Sequence, residues 1–232
     1  MKISPRLLAV ASLIPKCRSV CDIGTDHAYL PIYLVEKGIC ERAVAADINI
    51  GPLKAAEKNI ALCGKKGLIE TRLSDGFESI EPCDADCIVI AGMGGELIAK
   101  ILEGRKKGMT RFVLQPQRSF EYLRRYLAEN GFEIKKEEIA EEKDKMYCAF
   151  YAEYTGQRYD IEVSSALCGK RELLATHPLF EKYIKYRLNA VNAALSEIER
   201  GGGSKERTEY FESIRNIYLS LTGDQYESKN DH

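Results

Sequence analysis

The sequence predicts a doubly wound α/β domain followed by a helical hairpin, and three observations predict it. Short β-rich runs alternate with helical segments up to about Asn130, an order that gives a parallel sheet with helices on both faces. Two further β-like runs then follow with no helix between them, Phe132 to Ala140 and Met146 to Tyr154, so they pair as an antiparallel hairpin. Beyond Thr155-Gly156 the composition changes, and two long segments carry apolar residues every three or four positions, the spacing of an amphipathic helix.

Each element has its own local reason. Ser4-Pro5 opens a first helix, with Ser as cap and Pro at the first helical position. Ser19 to Ile23 is a short buried strand that runs into Gly24-Thr25-Asp26-His27-Ala28, and the helix after it stops at Gly38. Ala43 to Ile48 is the second strand, Pro52 to about Cys63 its helix, and Leu68 to Leu73 the third strand. Asp86 to Ala91 is the most apolar run and so the central strand. A helix from Gly95 to Leu102, a strand Arg111 to Leu114 and a helix Phe120 to Asn130 complete the alternation. The domain expected from this pattern covers residues 1–154. The remaining 155–232 should hold helices at Leu179 to Arg200 and Lys205 to Leu221, parted by Gly201-Gly202-Gly203 and packed as a hairpin or short antiparallel coiled coil.

Bulk properties narrow the class. With 232 residues, 45% hydrophobic and 30% charged, the chain reads as an ordinary globular protein. Its net charge of -1 gives no global sign of a polyanion binder, so the distribution of charge matters more than the sum. Met1 to Leu13 lacks the pattern of a secretory signal, and no apolar stretch approaches the ~20 residues of a membrane span. The eight cysteines form no CxxC pair and none has a His at zinc spacing. They read as reduced thiols in a cytoplasmic protein, with no metal, no membrane partner and a monomeric state expected.

Chemistry should gather beyond the carboxyl ends of the strands. Asp22-Ile23-Gly24-Thr25-Asp26-His27-Ala28 is a strand-to-helix turn whose glycine lets a ligand approach the backbone. It is not GxGxxG, and the acidic Asp26 repels a pyrophosphate while suiting a cationic ligand such as a sulfonium methyl donor. The same residues would also serve as a tight turn with a capping Asp. Asp47 ends the second strand 25 residues after Asp22, close to the spacing of an acid that accepts ribose hydroxyls, with Ile48 beside it; a helix cap is the other reading. Asp75-Gly76 can accept an adenine amino group or simply turn the chain. Ala91-Gly92-Met93-Gly94-Gly95 has more glycine than a turn needs. The Asn/Asp-Pro-Pro-aromatic segment of exocyclic-amine methylases is absent there. His27 can move protons near neutrality, and Tyr29 can stack on a base or pack in its helix. Between Arg105 and Arg125 seven basic residues face the single acid Glu121, which fits either a phosphate-backbone footprint or a solvated face.

Taken together, Asp22-Ile-Gly-Thr-Asp-His-Ala-Tyr-Leu-Pro31, Ala91-Gly-Met-Gly-Gly95 and Leu114-Gln-Pro116 resemble the bacterial tRNA (adenine-22, N1)-methyltransferase family over residues 1 to 154. The terminal hairpin resembles that family's appended coiled coil. One departure is Gln117, where the pattern has Asn. The resemblance implies a seven-stranded class I methyltransferase sheet, Rossmann-like, with S-adenosylmethionine as donor and N1 of a tRNA adenine as acceptor. It implies a donor site of Asp22, Gly24, Asp26, Asp47, Ile48, Asp75, Gly76, Ala91, Gly92 and Met93. Asp26, His27 and Tyr29 would face the methyl group and target base. Arg105, Lys106, Lys107, Gln115, Pro116 and Arg118 would meet the RNA, with Lys182, Lys185 and Arg187 on the tRNA body. Residues 155–232 hold 11 basic and 12 acidic residues, so that last expectation draws no support from net charge.

Three other readings stay open from sequence. A methyltransferase could act on another RNA position or a small molecule. A non-catalytic RNA-binding protein could keep the fold, although the intact Asp22, Gly24, Asp47 and Asp75 argue for a working site. An NAD-dependent oxidoreductase would need the missing GxGxxG.

Overall fold

The computed structural model describes residues 2–202 and 204–222; Gly203 and the end of the carboxyl-terminal region, 223–232, lie outside the described residues. The chain divides into two compact units, one up to Ile161 and one from Glu162.

The first unit contains α1 (Pro5–Leu13), β1 (Cys17–Ile23), α2 (Tyr29–Glu36), β2 (Cys40–Asp47), α3 (Ile50–Leu62), β3 (Ile69–Leu73), β4 (Cys87–Gly94), α4 (Gly95–Glu103), β5 (Arg111–Arg118), α5 (Phe120–Glu129), β6 (Phe132–Glu142) and β7 (Lys145–Tyr154). The strands form one seven-stranded sheet in the order β3-β2-β1-β4-β5-β7-β6. β1 to β5 are parallel and β7 runs antiparallel between β5 and β6, as expected of the closing hairpin. Its turn is Lys143-Asp144, both at positive φ (49° and 62°), the twist that two-residue hairpins favour.

Sequence pattern explains the layering. Val20 to Ile23 on β1 and Cys87 to Ile90 on β4 are buried without alternation, because helices cover both faces of the central strands. α1 begins where Ser4 Oγ accepts from the Leu7 amide at 3.4 Å, with Pro5 at the first position.

β4 and β5 run further than their apolar cores suggest. Their ladder continues as Met93↔Pro116 and Gly94↔Arg118 past a bulge at Gly92. A glycine-rich run and a Pro read as loop in sequence, yet a bulge accommodates both.

The first unit also continues past Tyr154. The Thr155 and Gly156 amides donate to Gly131 O at 2.9 and 3.0 Å, and the Tyr159 amide to Ala128 O at 3.2 Å.

The second unit contains α6 (Val163–Cys168), α7 (Arg171–Leu174), α8 (Phe180–Gly201) and α9 (Lys205–Leu221). α6 and α7 are short helices in a stretch that lacks a helical period in sequence. Tyr183, Ile184, Val191, Leu195 and Ile198 of α8 are buried, with Ile214 and Tyr218 of α9, the stripe expected of a two-helix seam. The Tyr218 hydroxyl donates to Leu167 O at 3.4 Å, tying α6 to α9.

Candidate active site

The parallel strands β1 to β4 deliver their carboxyl ends to one edge of the sheet, and the reversal of strand order falls between β1 and β4. A crevice at that reversal is where open α/β sheets bind ligands. At the end of β1, the Gly24 and Thr25 amides both donate to Ala46 O of β2, at 2.8 and 2.9 Å. Gly24 has φ +78°, and a Cβ there would overlap the methyl group of Met93.

His27 and Ala28 follow at φ +59° and +56°, two consecutive left-handed residues that are not glycine. Such conformations cost about 1–2 kcal/mol each and cluster at functional sites. The Asn59 side-chain amide holds the turn by donating to His27 O at 3.0 Å, and Ala28 is fully buried. The turn sets the His27 and Tyr29 rings in a stack, centroids 5.3 Å apart and planes 21° off parallel. Tyr29 remains 40% exposed, and His27 Nε2 lies 3.1 Å from Asp26 Oδ1.

Asp22 is buried beneath this turn. Burial pushes its carboxyl up to about 6, Asp47 and Asp26 add to that, and the Thr25 hydroxyl and Arg6 guanidinium act against it. At the end of β4, the Gly92 amide donates to Gln115 Oε1 at 3.2 Å, and Arg6 Nη1 donates to the same oxygen at 2.8 Å. These elements surround a cavity of about 800 Å³, lined among others by Asp22, Gly24, Asp26, Tyr29, Ala91, Gly92 and Met93. That volume is within the range of small-molecule sites.

The other expected donor-site residues lie outside this cavity. Asp47 and Leu73 pair at the ends of β2 and β3, which sets both strand ends on the same edge. Asp47 Oδ1 accepts from the Asn49 amide at 2.7 Å, a turn ahead of α3, whose N-cap is Asn49 without a side-chain cap. Ile48 is 57% exposed. Asp75 and Gly76 turn the chain, the Glu78 amide donating to Asp75 O at 3.1 Å, and line a separate depression of about 340 Å³ with Leu97, Lys100 and Ile101.

The residues fit a nucleoside donor that carries positive charge. Three carboxylates, Asp22, Asp26 and Glu142, line the cavity, and two glycines at left-handed φ bring backbone close to it. Among the described residues no group of three His, Cys, Asp or Glu side chains is placed to hold a metal ion, and no helix is long and apolar enough to cross a membrane.

Comparison with known proteins decides the family. The methyltransferase-domain family matches residues 3–150. A Bacillus subtilis protein described as tRNA (adenine(22)-N(1))-methyltransferase is 40% identical over 156 residues, which span 66% of this chain and 66% of that protein. The crystal structure of the Bacillus subtilis m1A22 tRNA methyltransferase superimposes with a TM-score of 0.82 at 31% identity, covering 95% of this chain and 99% of that one. This chain belongs to the bacterial tRNA (adenine-22, N1)-methyltransferase family. A Streptococcus pneumoniae relative, 32% identical with a TM-score of 0.83 over 95% of this chain and all of its own, was crystallised in complex with S-adenosyl-L-methionine.

The family assignment leaves the substrate-facing residues to be placed, and here the structure corrects the sequence. Gln115 and Pro116 are buried within β5. Gln115 is 1% exposed and spends its oxygen on Arg6 and Gly92, so it supports the site from behind.

Arg105, Lys106 and Lys107 precede β5, on the side of its amino end, and Lys106 also lines the depression of Asp75 and Gly76. The Arg105 guanidinium lies over the Tyr154 ring, 3.5 Å from its centroid, and Lys106 pairs with Glu81 at 2.6 Å, while Lys107 is exposed. Arg124 is wholly buried against Glu137 at 2.7 Å, and Arg125 pairs with Glu121. Of the basic run, Lys106, Arg124 and Arg125 are paired with carboxylates and Arg105 stacks on Tyr154, while Lys107, Arg111 and Arg118 are exposed. Of the expected set, Arg118 is exposed at the carboxyl edge, with its side chain beside Gly94. In the second unit, Lys185 pairs with Glu181 at 2.7 Å and Arg187 Nε donates to the Tyr218 hydroxyl at 3.4 Å.

Sequence reading missed Arg6, Glu142 and Lys143, which wall the cavity from α1 and the β6–β7 turn. Glu142 accepts from the Arg6 amide at 3.2 Å, and the Ser4 hydroxyl, followed by that amide, holds its carboxyl below the usual range. No motif marks them. A signal existed only in topology, since the first helix and a closing hairpin must flank the strand-order reversal.

Proposed function

We propose that this chain transfers a methyl group from S-adenosylmethionine to N1 of adenine 22 of tRNA. The observation that carries the reading is the cluster at the carboxyl edge. Gly24 and Gly92 at left-handed φ, the carboxylates of Asp22 and Asp26, and Tyr29, stacked on His27, meet at one cavity, in a chain whose full-length structural relative is an m1A22 tRNA methyltransferase.

When bound, the donor supplies a methyl carbon on a positively charged sulfur. Asp22, Gly24, Ala91, Gly92 and Met93 form its wall, while Asp47 and Ile48, then Asp75 and Gly76, extend that wall along the strand ends for the adenosine. Adenine N1 carries a free lone pair at neutral pH, so no base need remove a proton before attack. The N–C bond forms as the C–S bond breaks, the electron pair leaves on sulfur, and the product base is cationic. The chain's task is then alignment, and stabilisation of that charge by Asp26.

Tyr29, already stacked on His27, offers its open face to a base drawn out of the tRNA, and Arg118 stands beside the entrance. The first unit binds the donor, and the α8–α9 hairpin grips the tRNA body. On this reading the chain works as a monomer, and a tRNA substrate assigns the work to the cytoplasm.

The deciding experiment is transfer of labelled methyl from S-adenosylmethionine to unmodified tRNA, with the product nucleoside identified by mass spectrometry. The reading expects N1-methyladenosine that disappears when adenine 22 is replaced. Donor binding without transfer to any RNA would turn the reading to a non-catalytic RNA-binding protein. Removal of the hairpin is expected to weaken tRNA binding while donor affinity stays; unchanged tRNA affinity would remove the hairpin from the account.

A further inference from the structure

We propose that Arg6 binds the α-carboxylate of the methyl donor, with buried Gln115 as the residue that positions it. The inference rests on the donor-site reading above and extends it to the amino-acid end of the ligand.

That end of S-adenosylmethionine is mixed in charge: a sulfonium and an ammonium are positive, and one carboxylate is negative. The cavity's carboxylates suit the two cations and repel the third group. A carboxylate there needs a cation of its own. Three basic residues line the cavity, Lys2, Arg6 and Lys143. Lys2 and Lys143 are exposed at the rim, whereas Arg6 is half-buried.

Arg6 is also the one held in place. Its Nη1 donates to Gln115 Oε1 at 2.8 Å. Gln115 cannot swing away, because its own amide nitrogen donates to Pro116 O at 2.8 Å and its oxygen also accepts from Gly92. One buried side chain thus fixes both the guanidinium and the backbone turn beneath the donor. A Cβ placed on Gly92 would lie 3.6 Å from Arg6 Nη1 and 3.6 Å from Gln117 Nε2, so the open face of Gly92 is flanked by two N–H donors.

A guanidinium has five N–H groups in a planar fork matched to a carboxylate. Gln115 occupies part of that fork. Asp22 and Glu142 feel its charge without forming a salt bridge with it among the described residues, so this half-buried guanidinium, fixed by Gln115, faces the cavity with N–H groups left for a ligand carboxylate. Asp22 then lies opposite for the ammonium, and the pair reads the zwitterion from both ends.

A purely structural Arg6, offsetting Asp22 and Glu142, would weaken every ligand alike. The full chain is therefore titrated calorimetrically with S-adenosylmethionine and with its decarboxylated form, which keeps sulfonium and ammonium and lacks only the carboxylate. The wild type is expected to prefer S-adenosylmethionine by about tenfold or more, the range of a charge-assisted pair. Arg6→Gln is expected to abolish that preference while binding the decarboxylated form within about twofold of wild type. Arg6→Lys, which keeps the charge without the fork, should retain part of the preference, and it carries the test if Arg6→Gln does not fold. Equal loss of both ligands in Arg6→Gln, or a wild type that does not discriminate, overturns the proposal. A wild type that binds neither ligand overturns the donor-site reading itself, a result distinct from either.

Discussion

The two edges of the one sheet are built on opposite rules. Around the amino edge, charge is matched. Asp86 Oδ2 accepts from the Arg18 and Ser19 amides at 2.9 and 3.0 Å, and Lys106 pairs with Glu81. On the return segment from β3 to β4, Arg72 pairs with Asp84. Burial works against the Asp84 carboxylate, yet the Glu81 amide and Arg72 outweigh it and hold it below the usual range. At the carboxyl edge, Asp22 is buried with its carboxyl pushed up to about 6, Asp26 stands beside it, and two non-glycine residues in succession take left-handed φ. A fold selected for stability alone would not gather like charge and backbone strain at one place. Their concentration at the strand-order reversal marks where stability is given up for ligand binding.

The contrast is broken or sharpened by substitution. The largest effect is expected where pairing is deepest. Arg124→Met takes the paired guanidinium from buried Glu137, and should cost about 3–5 kcal/mol, read as a lowered denaturation midpoint with any residual folded protein still binding donor. A loss under about 1 kcal/mol would mean that the pair is not desolvated as its burial implies.

Gly24→Ala comes next. Its φ of +78° disfavours any side chain, and the new methyl meets Met93, so about 1–2 kcal/mol of stability should go together with at least about tenfold in donor affinity. Retention of both would remove Gly24 from the site. Adding Met93→Ala should relieve the contact and leave the backbone strain.

Smallest is Lys106→Ala at the amino edge. An exposed pair contributes about 0.2–1 kcal/mol, and tRNA affinity should not change. A loss of tRNA affinity with a flattened salt dependence would restore the basic segment as a phosphate contact.

The same contrast explains what sequence could and could not reveal. Strand and helix positions were legible because burial on both faces leaves continuous apolar runs such as Cys87 to Ile90, and because Gly38, Pro52 and Ser4 carry capping and turn chemistry locally. The hairpin after α5 was legible from the missing helix. At the carboxyl edge Asp22, Gly24, Asp26 and Gly92 could be found because they are contiguous with strand ends.

The basic run is hard to read from sequence because charge counting is one-dimensional. Arg124 finds Glu137 and Lys106 finds Glu81 only after folding. Gln115 is hidden for a different reason. As part of a motif it looked like a contact residue, and its burial made it a support. Arg6 was invisible because it belongs to α1, which joins the site through topology and carries no motif. The strain at His27-Ala28 lay beyond sequence as well, since neither residue advertises positive φ.

The central claim, that the carboxyl edge gives up stability for donor binding, is tested most directly at Asp22. A carboxyl raised from 3.8 to about 6 on folding stabilises the fold fully below about 3.8, and that contribution is lost as pH rises through 6. At pH 7.5 the folded protein therefore bears a buried charge that Asn would not. The measurement is thermal unfolding of the ligand-free wild type and Asp22→Asn at pH 4 and 7.5, with donor affinity at pH 7.5 by calorimetry. The account predicts that Asp22→Asn is more stable by about 3 kcal/mol at pH 7.5, no more stable at pH 4, and weaker in donor affinity by at least about tenfold. A variant that loses stability at pH 7.5 while binding donor as well as wild type would contradict it.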